Sequence, residues 1–281
     1  MKDFKNKVVV ITGAGSGIGE ALALDFSKRG ANLALNDINL ERVNNTAKRA
    51  EANGSKVFTQ RVDMANRAAV YAFRDDVISH FGKVDVVINN AGVALGTAKI
   101  ATLEYDDFDW VMGINFWGMV YGTKAFLPDL MKGQEAAVAN VSSIFGITGI
   151  AGQGAYCTSK FAIRGFTETL RAEMHDDAPN LTVHSIHPGG VATKIAKDSK
   201  DTAQTRSLSE SERAELDAKV EQALVMPPPK AADIIIRGIM KKKERILVGS
   251  DAKSMDRLVR IFPAGYTKMI HKQMKKSGLQ S

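Results

Sequence analysis

Short apolar segments alternate with longer helical patterns along most of this chain, and that alternation restricts the fold more than any other feature. Most of the apolar segments are uninterrupted runs of Val, Ile, Leu and Ala, which is typical of strands buried on both faces. Parallel strands need a crossover between them, and the intervening helical patterns provide one. The sequence therefore predicts an α/β fold over residues 1–250: a single-domain, doubly wound (Rossmann) parallel sheet of about seven strands with helices on both faces. We predict strands at residues 8–12, 32–36, 56–62, 84–89, 136–142, 181–187 and 245–249, and helices at 17–29, 40–53, 67–81, 105–132, 154–175 and 230–242.

Composition narrows the class of protein and its compartment. Of 281 residues, 44% are apolar and 25% are charged, which suits a globular chain and argues against disorder. Cys157 is the only cysteine, so an intrachain disulfide is excluded and a cysteine-based metal site is disfavoured. There is no apolar run of about 18 residues to span a membrane, and the first strand begins too early to leave room for a signal peptide. We expect a cytoplasmic protein.

The positive charge of the chain is concentrated in one segment. The net charge is +7, from 38 Lys and Arg against 31 Asp and Glu. Residues 241–281 alone contain 11 Lys and Arg against 3 Asp and Glu, so the rest of the chain is almost neutral. A nucleic-acid enzyme would carry its basic residues along a groove, and we therefore expect no nucleic-acid partner.

Two segments stand outside the regular alternation. Residues 192–229 are polar, should contain a short helix that begins at Ser209, and lie at the ligand edge of the sheet, where a long insertion is either a substrate lid or a loose loop. Residues 251–281 form a basic amphipathic C-terminal extension that Pro263 and Gly265 should split. Its apolar stripe can dock on the core or on another subunit, its basic face can contact a membrane peripherally, or the segment can be flexible.

The segment that follows the first predicted strand is rich in glycine. It reads Thr-Gly-Ala-Gly-Ser-Gly-Ile-Gly over residues 12–19 and leads into the first predicted helix. Glycines let the backbone turn sharply and approach a pyrophosphate, and the helix N-terminus attracts the negative charge. A tight turn without a ligand is the alternative, but the position between strand and helix favours a dinucleotide site. The residues predicted to line it are Gly13, Ser16, Gly17, Ile18 and Gly19.

Acidic residues follow the next two predicted strands. Asp37 can bind the hydroxyl groups of the adenosine ribose, and its carboxylate would repel a 2′-phosphate. No Arg or Lys occurs in residues 13–19 or immediately after Asp37, so we expect NAD as the cofactor, with NADP less favoured. The alternative is that Asp37 only caps the next helix. Asp63, beside Met64, can bind adenine or start a turn.

Tyr156 and Lys160 are four residues apart in a helical pattern and therefore project from one face. A neighbouring ammonium group favours the tyrosinate, so Tyr156 can exchange a proton with a carbonyl oxygen. Ser143 closes the fifth predicted strand at the same edge of the sheet and can donate a hydrogen bond to that oxygen. Taken singly, each of these residues is more typical of a surface or turn position.

Together these motifs resemble the classical short-chain dehydrogenase/reductase family over residues 5–250. The resemblance implies that Tyr156 is the general acid/base, that Ser143 orients the substrate, and that Lys160 holds the nicotinamide ribose and tunes Tyr156. It also implies that Asn115 positions a water molecule that leads protons away from Lys160; without the resemblance, a helical Asn bonded to backbone is the simpler interpretation. The matching positions are 12–19, 89–92, 115, 142–143, 156–160, 188–189 and 193.

The same resemblance extends the cofactor site. Residues 90–92 would line its adenosine side, and residues 188–193 would flank the nicotinamide carboxamide. The complete predicted cofactor set is Gly13, Ser16, Gly17, Ile18, Gly19, Asp37, Asp63, Met64, Asn90, Ala91, Gly92, Tyr156, Lys160, Pro188, Gly189, Val191 and Thr193.

The predicted function is an NAD(P)-dependent transfer of hydride between nicotinamide and an alcohol, aldehyde or ketone. Apolar side chains near Ser143 and around the lid indicate an uncharged, fairly lipophilic substrate; Phe145, Ile150, Ile195 and Met226 are the expected contacts. The alternatives are a non-catalytic dinucleotide-binding regulator, and a same-fold epimerase or dehydratase with tightly held NAD.

Assembly and metal binding complete the expectations. The predicted helices 105–132 and 154–175 carry more apolar residues than one sheet contact requires, and the family usually pairs these helices between subunits, so we expect a homodimer or homotetramer. His184 and His187 lie on opposite faces of one strand, and we expect no metal site.

Overall fold

A parallel sheet of seven strands forms the centre of the computed structural model, which describes residues 1–276. Its strand order is β3-β2-β1-β4-β5-β6-β7, and every neighbouring pair is parallel. All seven predicted strands are present, with ends that differ by at most two residues, and the predicted doubly wound fold is confirmed. The strands are β1 (Val8–Thr12), β2 (Asn32–Asp37), β3 (Val57–Arg61), β4 (Val86–Asn89), β5 (Ala136–Val141), β6 (Leu181–Pro188) and β7 (Arg245–Val248).

Helices cover both faces of this sheet. Apolar side chains of α1, α2 and α9 form one core layer, and those of α3, α5 and α6 form the other. The helices are α1 (Gly17–Lys28), α2 (Leu40–Glu51), α3 (Arg67–Phe81), α4 (Tyr105–Val111), α5 (Gly118–Lys132), α6 (Gly154–Asp177), α7 (Ala203–Arg206), α8 (Glu210–Ala223), α9 (Pro228–Met240), α10 (Ser250–Ile261) and α11 (Tyr266–Lys276).

The strand order reverses direction beside β1, whose neighbours are β2 on one side and β4 on the other. A crevice opens at such a reversal, outside the carboxyl ends of the strands, because the crossovers on its two sides run in opposite directions. The loops that follow β1, β4, β5 and β6 all lie at this edge.

The predicted helix 105–132 is divided in the structure. A π-helical segment, Met112–Trp117, separates α4 from α5 and contains Asn115. Such wide turns insert one extra residue into the helical hydrogen-bond ladder and are frequent at functional sites. Hydrophobic periodicity does not reveal them, because the apolar stripe continues through the turn.

The insertion 192–229 has two parts. Residues 192–202, which we call the strap, cross the ligand edge without regular structure, and α7 and α8 follow. The side chain of Ser209 accepts a hydrogen bond from the backbone of Glu212, and Glu212 bonds back to Ser209, so the helix start predicted at Ser209 is confirmed.

The C-terminal extension folds as two helices, α10 and α11, joined by a turn at Pro263 and Gly265, where the break was predicted. We call this helix–turn–helix unit the C-terminal hairpin. The apolar stripe of α11 docks on the domain, since Ile270 is buried against Ile150 and Cys157. Residues 277–281 of the predicted extension lie outside the described residues. No helix within residues 1–276 combines the length and the apolar character that crossing a bilayer requires.

Candidate active site

The glycine-rich loop after β1 adopts a conformation that requires glycine. Gly13 and Gly17 have φ of +64° and +58°, in the left-handed region that residues with a Cβ rarely adopt. A Cβ on Gly19 would collide with the carbonyl oxygen of Gly13 and with the amide of Asn90. The loop therefore presents bare backbone at the crevice, as a pyrophosphate cradle must.

Polar bonds from the neighbouring strand hold this cradle. The Asn90 amide donates hydrogen bonds to the carbonyl oxygens of Thr12 (3.0 Å) and Gly13 (3.1 Å). The Thr12 hydroxyl accepts from the backbone N–H groups of Asn90 and Ala91, each at 3.0 Å. The side chain of Asn90 thus shapes the loop, and the predicted contact of 90–92 with adenosine stays a prediction.

The N-terminus of α1 faces the same space. Ser16 is its N-cap residue, and its side chain makes no capping hydrogen bond, so the hydroxyl is available to a ligand. Ile18 instead packs against the core below the helix. A helix N-terminus with free N–H groups stabilises an anion, which fits the phosphates of a dinucleotide.

Asp37 lies over the glycine-rich loop at the end of β2. Its carboxylate accepts hydrogen bonds from the backbone N–H groups of Gly15 and Asn39, both at 2.9 Å. The helix α2 is capped by Asn39, whose side chain accepts from Arg42 N, so the interpretation of Asp37 as a mere helix cap is wrong. These residues fit the ribose and phosphate groups of a dinucleotide.

Arg42 is a neighbour of Asp37 that sequence reasoning missed. Its Cβ packs directly on Gly15, and its guanidinium pairs with Asp198 of the strap, with Nη1 and Oδ2 2.7 Å apart. The hydrogen bond to Asp198 raises the pKa of Arg42, and the charge of Asp37 adds to that effect. The Arg42 guanidinium therefore lies at the expected ribose end of the site, with its charge already balanced by Asp198.

Asp63 and Met64 follow β3. The Asp63 carboxylate accepts a hydrogen bond from the backbone N–H of Ala65 at 2.9 Å. Asp63 therefore starts a turn, which was one of its two predicted roles. Met64 is buried against Gly118 and Gly122. Their predicted contact with the adenine stays a prediction.

Ser143, Tyr156 and Lys160 meet at the carboxyl ends of the central strands. The Lys160 ammonium lies 5.5 Å from the centroid of the Tyr156 ring, and Phe145 packs edge-on against the same ring at 6.0 Å. Burial raises the pKa of Tyr156 to about 12, a shift that its hydrogen bond with Ser143 opposes. Burial lowers the pKa of Lys160 to about 8. Without a cofactor, the protein therefore holds a neutral Tyr156 phenol beside a Lys160 ammonium group that loses its proton more readily than usual.

Hydrogen bonds that involve the backbone fix Lys160 and Ser143. The Lys160 ammonium donates to the Val141 carbonyl at 3.1 Å, and the Ser142 hydroxyl donates to the Lys160 carbonyl at 2.7 Å. His187 Nδ1 donates to the Ser143 carbonyl at 3.0 Å. Burial lowers the pKa of His187 to about 4, so the ring is neutral and its other nitrogen accepts from a serine hydroxyl. Sequence reasoning considered His187 only as a metal ligand, yet its hydrogen bond holds the backbone of Ser143.

Asn115 is fully buried in the π-helical segment. Its side-chain oxygen accepts from Val93 N at 2.8 Å, and its amide donates to the Val93 carbonyl at 3.0 Å and to the Ser159 hydroxyl at 3.1 Å. This is the backbone-bonded state expected of a helical Asn, and it anchors the loop after β4 to α6. The proposed water beside Lys160 stays a prediction.

The loop after β6 lies at the end of the cleft where the nicotinamide is expected. Gly189 donates its backbone N–H to Val248 at 2.9 Å, and Val191 pairs with Met226. The Thr193 methyl group lies against Gly17, so the strap reaches the glycine-rich loop. Pro188 is the last residue of β6 and is buried.

The predicted substrate contacts divide into two groups. Phe145 lies beside Tyr156, and Ile195 is half-buried in the strap. Ile150 packs toward Cys157 and the C-terminal hairpin, and Met226 packs against the core layer of α1 and α9. Of these four side chains, Phe145 is the one whose contact with Tyr156 the structure shows, and the substrate contacts of the other three stay predictions.

Comparison with known proteins places the chain among dehydrogenases. A family model described as short chain dehydrogenase matches residues 7–204. SadH of Mycobacterium tuberculosis, an oxidoreductase by its provisional name, is 40% identical over 270 residues that cover 96% of each chain. The crystal structure of a short-chain dehydrogenase/reductase from Burkholderia phymatum in complex with NAD has 28% identity and a TM-score of 0.83, covering 92% of this chain and 95% of that one. An alcohol dehydrogenase from Thermococcus sibiricus complexed with 5-hydroxy-NADP has 26% identity and a TM-score of 0.70, covering 86% of this chain and 94% of that one.

Proposed function

The chain belongs to the short-chain dehydrogenase family of oxidoreductases, and we propose that it interconverts an alcohol and its aldehyde or ketone with NAD as the cofactor. One observation carries this proposal: Tyr156, Lys160 and Ser143 converge beside a glycine cradle, and the two titratable side chains have pKa values displaced by burial. When bound, the nicotinamide supplies or accepts the hydride.

The roles of the three residues follow from their protonation. In carbonyl reduction, neutral Tyr156 donates its proton to the substrate oxygen, while the Ser143 hydroxyl donates a hydrogen bond to the same oxygen. The Lys160 ammonium lowers the free energy of the tyrosinate that remains, because opposite charges attract strongly where water is excluded. In alcohol oxidation, Tyr156 takes the proton back. Asn115 would hold a water molecule through which that proton leaves.

NAD is proposed over NADP on electrostatic grounds. Asp37 lies at the ribose end of the cradle, and Asp198 adds a second carboxylate that occupies the nearby guanidinium of Arg42. A 2′-phosphate would meet two negative charges, and the guanidinium of Arg42 beside them is already paired. Of the similar known structures, one contains NAD and another contains an NADP analogue, so membership of the family does not by itself decide between the two cofactors.

The substrate proposed is uncharged and fairly lipophilic, with the insertion 192–229 as its lid. Phe145 offers apolar surface next to Tyr156, and Ile195 is a half-buried apolar residue of the strap. The strap is fastened on the opposite side of the cleft, where Lys200 pairs with Asp107 at 2.7 Å and lies over the ring of Trp110. An ion pair and a cation–π contact of this kind can break and re-form as a lid opens and closes around a substrate.

We also propose that the protein is a homodimer or homotetramer of the cytoplasm. Trp117, the last residue of the π-helical segment, is half-exposed and stacks on Tyr121 of α5, while Phe161 is exposed on α6. These aromatic side chains support pairing of the two long helices between subunits. Monomer alone in sedimentation at micromolar concentration would refute the assembly.

The reaction is tested with NAD and a panel of secondary alcohols, following the near-ultraviolet absorbance of the reduced cofactor. We expect turnover, and we expect Tyr156→Phe to reduce it by about 10²–10⁴-fold, since only the acid/base group is removed. Tyr71→Phe, at an exposed tyrosine of α3, is the matched control.

Two results would replace the proposal by one of its alternatives. Cofactor binding without turnover on any substrate would indicate the dinucleotide-binding regulator. Substrate conversion without net reduced cofactor would indicate the epimerase or dehydratase, which returns the hydride to the same molecule.

A further inference from the structure

The tip of the C-terminal hairpin exposes large apolar side chains that the fold leaves uncovered. Ile261 and Phe262, at the end of α10, are 68% and 47% exposed, and Met269 on the first turns of α11 is 47% exposed. Four other side chains of the hairpin pack into the cluster around Ile270: Met255, Leu258, Tyr266 and Met274. The hairpin therefore has two apolar surfaces, one docked and one directed to solvent.

Cations surround this tip on both sides of the turn. Residues 250–276 contain seven Lys and Arg against two Asp. Arg257 and Arg260 precede the apolar tip, and Lys268 and Lys272 follow it. Within the described residues, neither of these lysines forms an ion pair, whereas Arg260 pairs with Asp256. The charge around the tip is thus largely unbalanced.

We propose that this tip is a docking surface for an anionic lipid bilayer. Ile261 and Phe262 enter the interface between headgroups and acyl chains, while the flanking lysines and arginines contact lipid phosphates. The apolar residues favour a bilayer over a nucleic acid, because phosphate contacts alone would gain nothing from an exposed Ile-Phe pair. The docking goes beyond the proposed reaction and does not depend on it.

The hairpin is fastened close to the catalytic loop. The Tyr266 hydroxyl accepts a hydrogen bond from the backbone N–H of Gly149 at 3.1 Å, and Ile270 is buried against Ile150. Both contacts fall in the segment between Ser143 and α6. A bilayer bound at the tip is therefore mechanically connected to the substrate side of the site, where a lipophilic substrate would arrive from the membrane.

The test is co-sedimentation of the full chain with vesicles. We expect binding to phosphatidylcholine vesicles that contain phosphatidylglycerol and little binding to phosphatidylcholine alone. The double variants Ile261→Ser/Phe262→Ser and Lys268→Glu/Lys272→Glu should each weaken the binding by about tenfold or more, since one removes the apolar contact and the other reverses the charge. The control Lys241→Glu/Lys243→Glu makes the same charge change at exposed lysines of another surface and should have a smaller effect.

Thermal melting confirms that each variant is folded, and NAD binding reports the integrity of the cofactor site. The proposal is overturned if both tip variants sediment with anionic vesicles as the unmodified protein does. It is also overturned if the protein does not sediment with the vesicles and binds duplex DNA instead. In that case the double variant Ile261→Ser/Phe262→Ser would leave the affinity for DNA unchanged.

Discussion

Two cations stand at opposite ends of the proposed cofactor cleft, and their surroundings differ in every respect. Lys160, at the substrate end, is 3% exposed, and burial lowers its pKa to about 8. Arg42, at the ribose end, has a side chain that is 40% exposed, and its bond with Asp198 raises its pKa. The charge of Lys160 is buried and has no carboxylate partner, whereas the charge of Arg42 is exposed and paired with Asp198.

The difference separates two uses of charge. A buried ammonium without a carboxylate partner costs stability, but it acts strongly on the neighbouring phenol because the local dielectric is low. An exposed ion pair contributes little to stability and is screened by salt, yet it can still decide which ligand charge is admitted. The substrate end is thus suited to proton transfer by Tyr156, and the ribose end is suited to selection between NAD and NADP.

The largest expected effect belongs to Lys160→Met. We expect the rate of carbonyl reduction to fall by at least about 100-fold, because the tyrosinate loses its stabilising charge. We also expect the free energy of unfolding at pH 7 to rise by up to about 3 kcal/mol, since a buried charge is removed. The lost hydrogen bond to Val141 offsets part of this gain. Activity assays and thermal melting measure the two changes.

The sign of the stability effect depends on pH. The pKa of Lys160 is lower in the folded protein than in the unfolded chain, so the unfolded chain binds the extra proton between about pH 8 and 10.5. The penalty is complete below pH 8 and disappears as the pH rises through that window. Lys48→Met, at an exposed lysine of α2, should alter neither quantity. A Lys160→Met protein that is less stable at pH 7 would contradict the assignment of an unbalanced charge.

Titration of Lys160 gives the next largest effect. For carbonyl reduction, we expect kcat/KM to fall above pH 8 and to approach a tenfold loss per pH unit, because the ammonium is discharged while Tyr156, with a pKa of about 12, keeps its proton. Lys160→Arg, which keeps the charge, should move this decline to higher pH. A flat profile up to pH 10 would show that Lys160 is not the controlling group.

The same contrast explains what the sequence could reveal. The seven strands, the glycine cradle and the Ser209 helix start were predictable because each depends on residues close together in the chain. Tyr156 and Lys160 were recognised from their helical spacing together with the other motifs that carry the family resemblance. Their pKa values could not be foreseen, because these depend on burial by the folded domain.

Long-range contacts account for most of what was missed. Arg42 and Asp198 are separated by 156 positions, and no local pattern connects them. The support that His187 gives to Ser143 joins two strand ends in the same way. The π-helical turn around Asn115 was hidden because helical periodicity continues on both sides of it. Chemistry-bearing residue types were thus recognisable, whereas their partners were not.

A smaller effect is expected at the ribose end, from Asp198→Ala. Removing this carboxylate frees Arg42 and deletes one of two negative charges, so the affinity for NADP relative to NAD should rise by about three- to tenfold at low salt. Equilibrium binding of both nucleotides measures the ratio. Asp201→Ala, which removes a strap carboxylate paired with Arg213 instead, is the matched control and should leave the ratio unchanged. An unchanged ratio in Asp198→Ala as well would mean that Asp37 alone selects the cofactor.

The smallest effect is expected for stability at the same end. Arg42→Ala should change the free energy of unfolding by less than about 1 kcal/mol, because the pair with Asp198 is exposed and its attraction is offset by the entropy of holding two long side chains. The variant should also reduce the gain in NADP affinity when combined with Asp198→Ala, since the freed guanidinium is then missing and only the deletion of the carboxylate remains. A loss of several kcal/mol in denaturant unfolding would mean that the pair holds the strap to α2 as a structural bond, and the ribose end would then be built for stability rather than for selection.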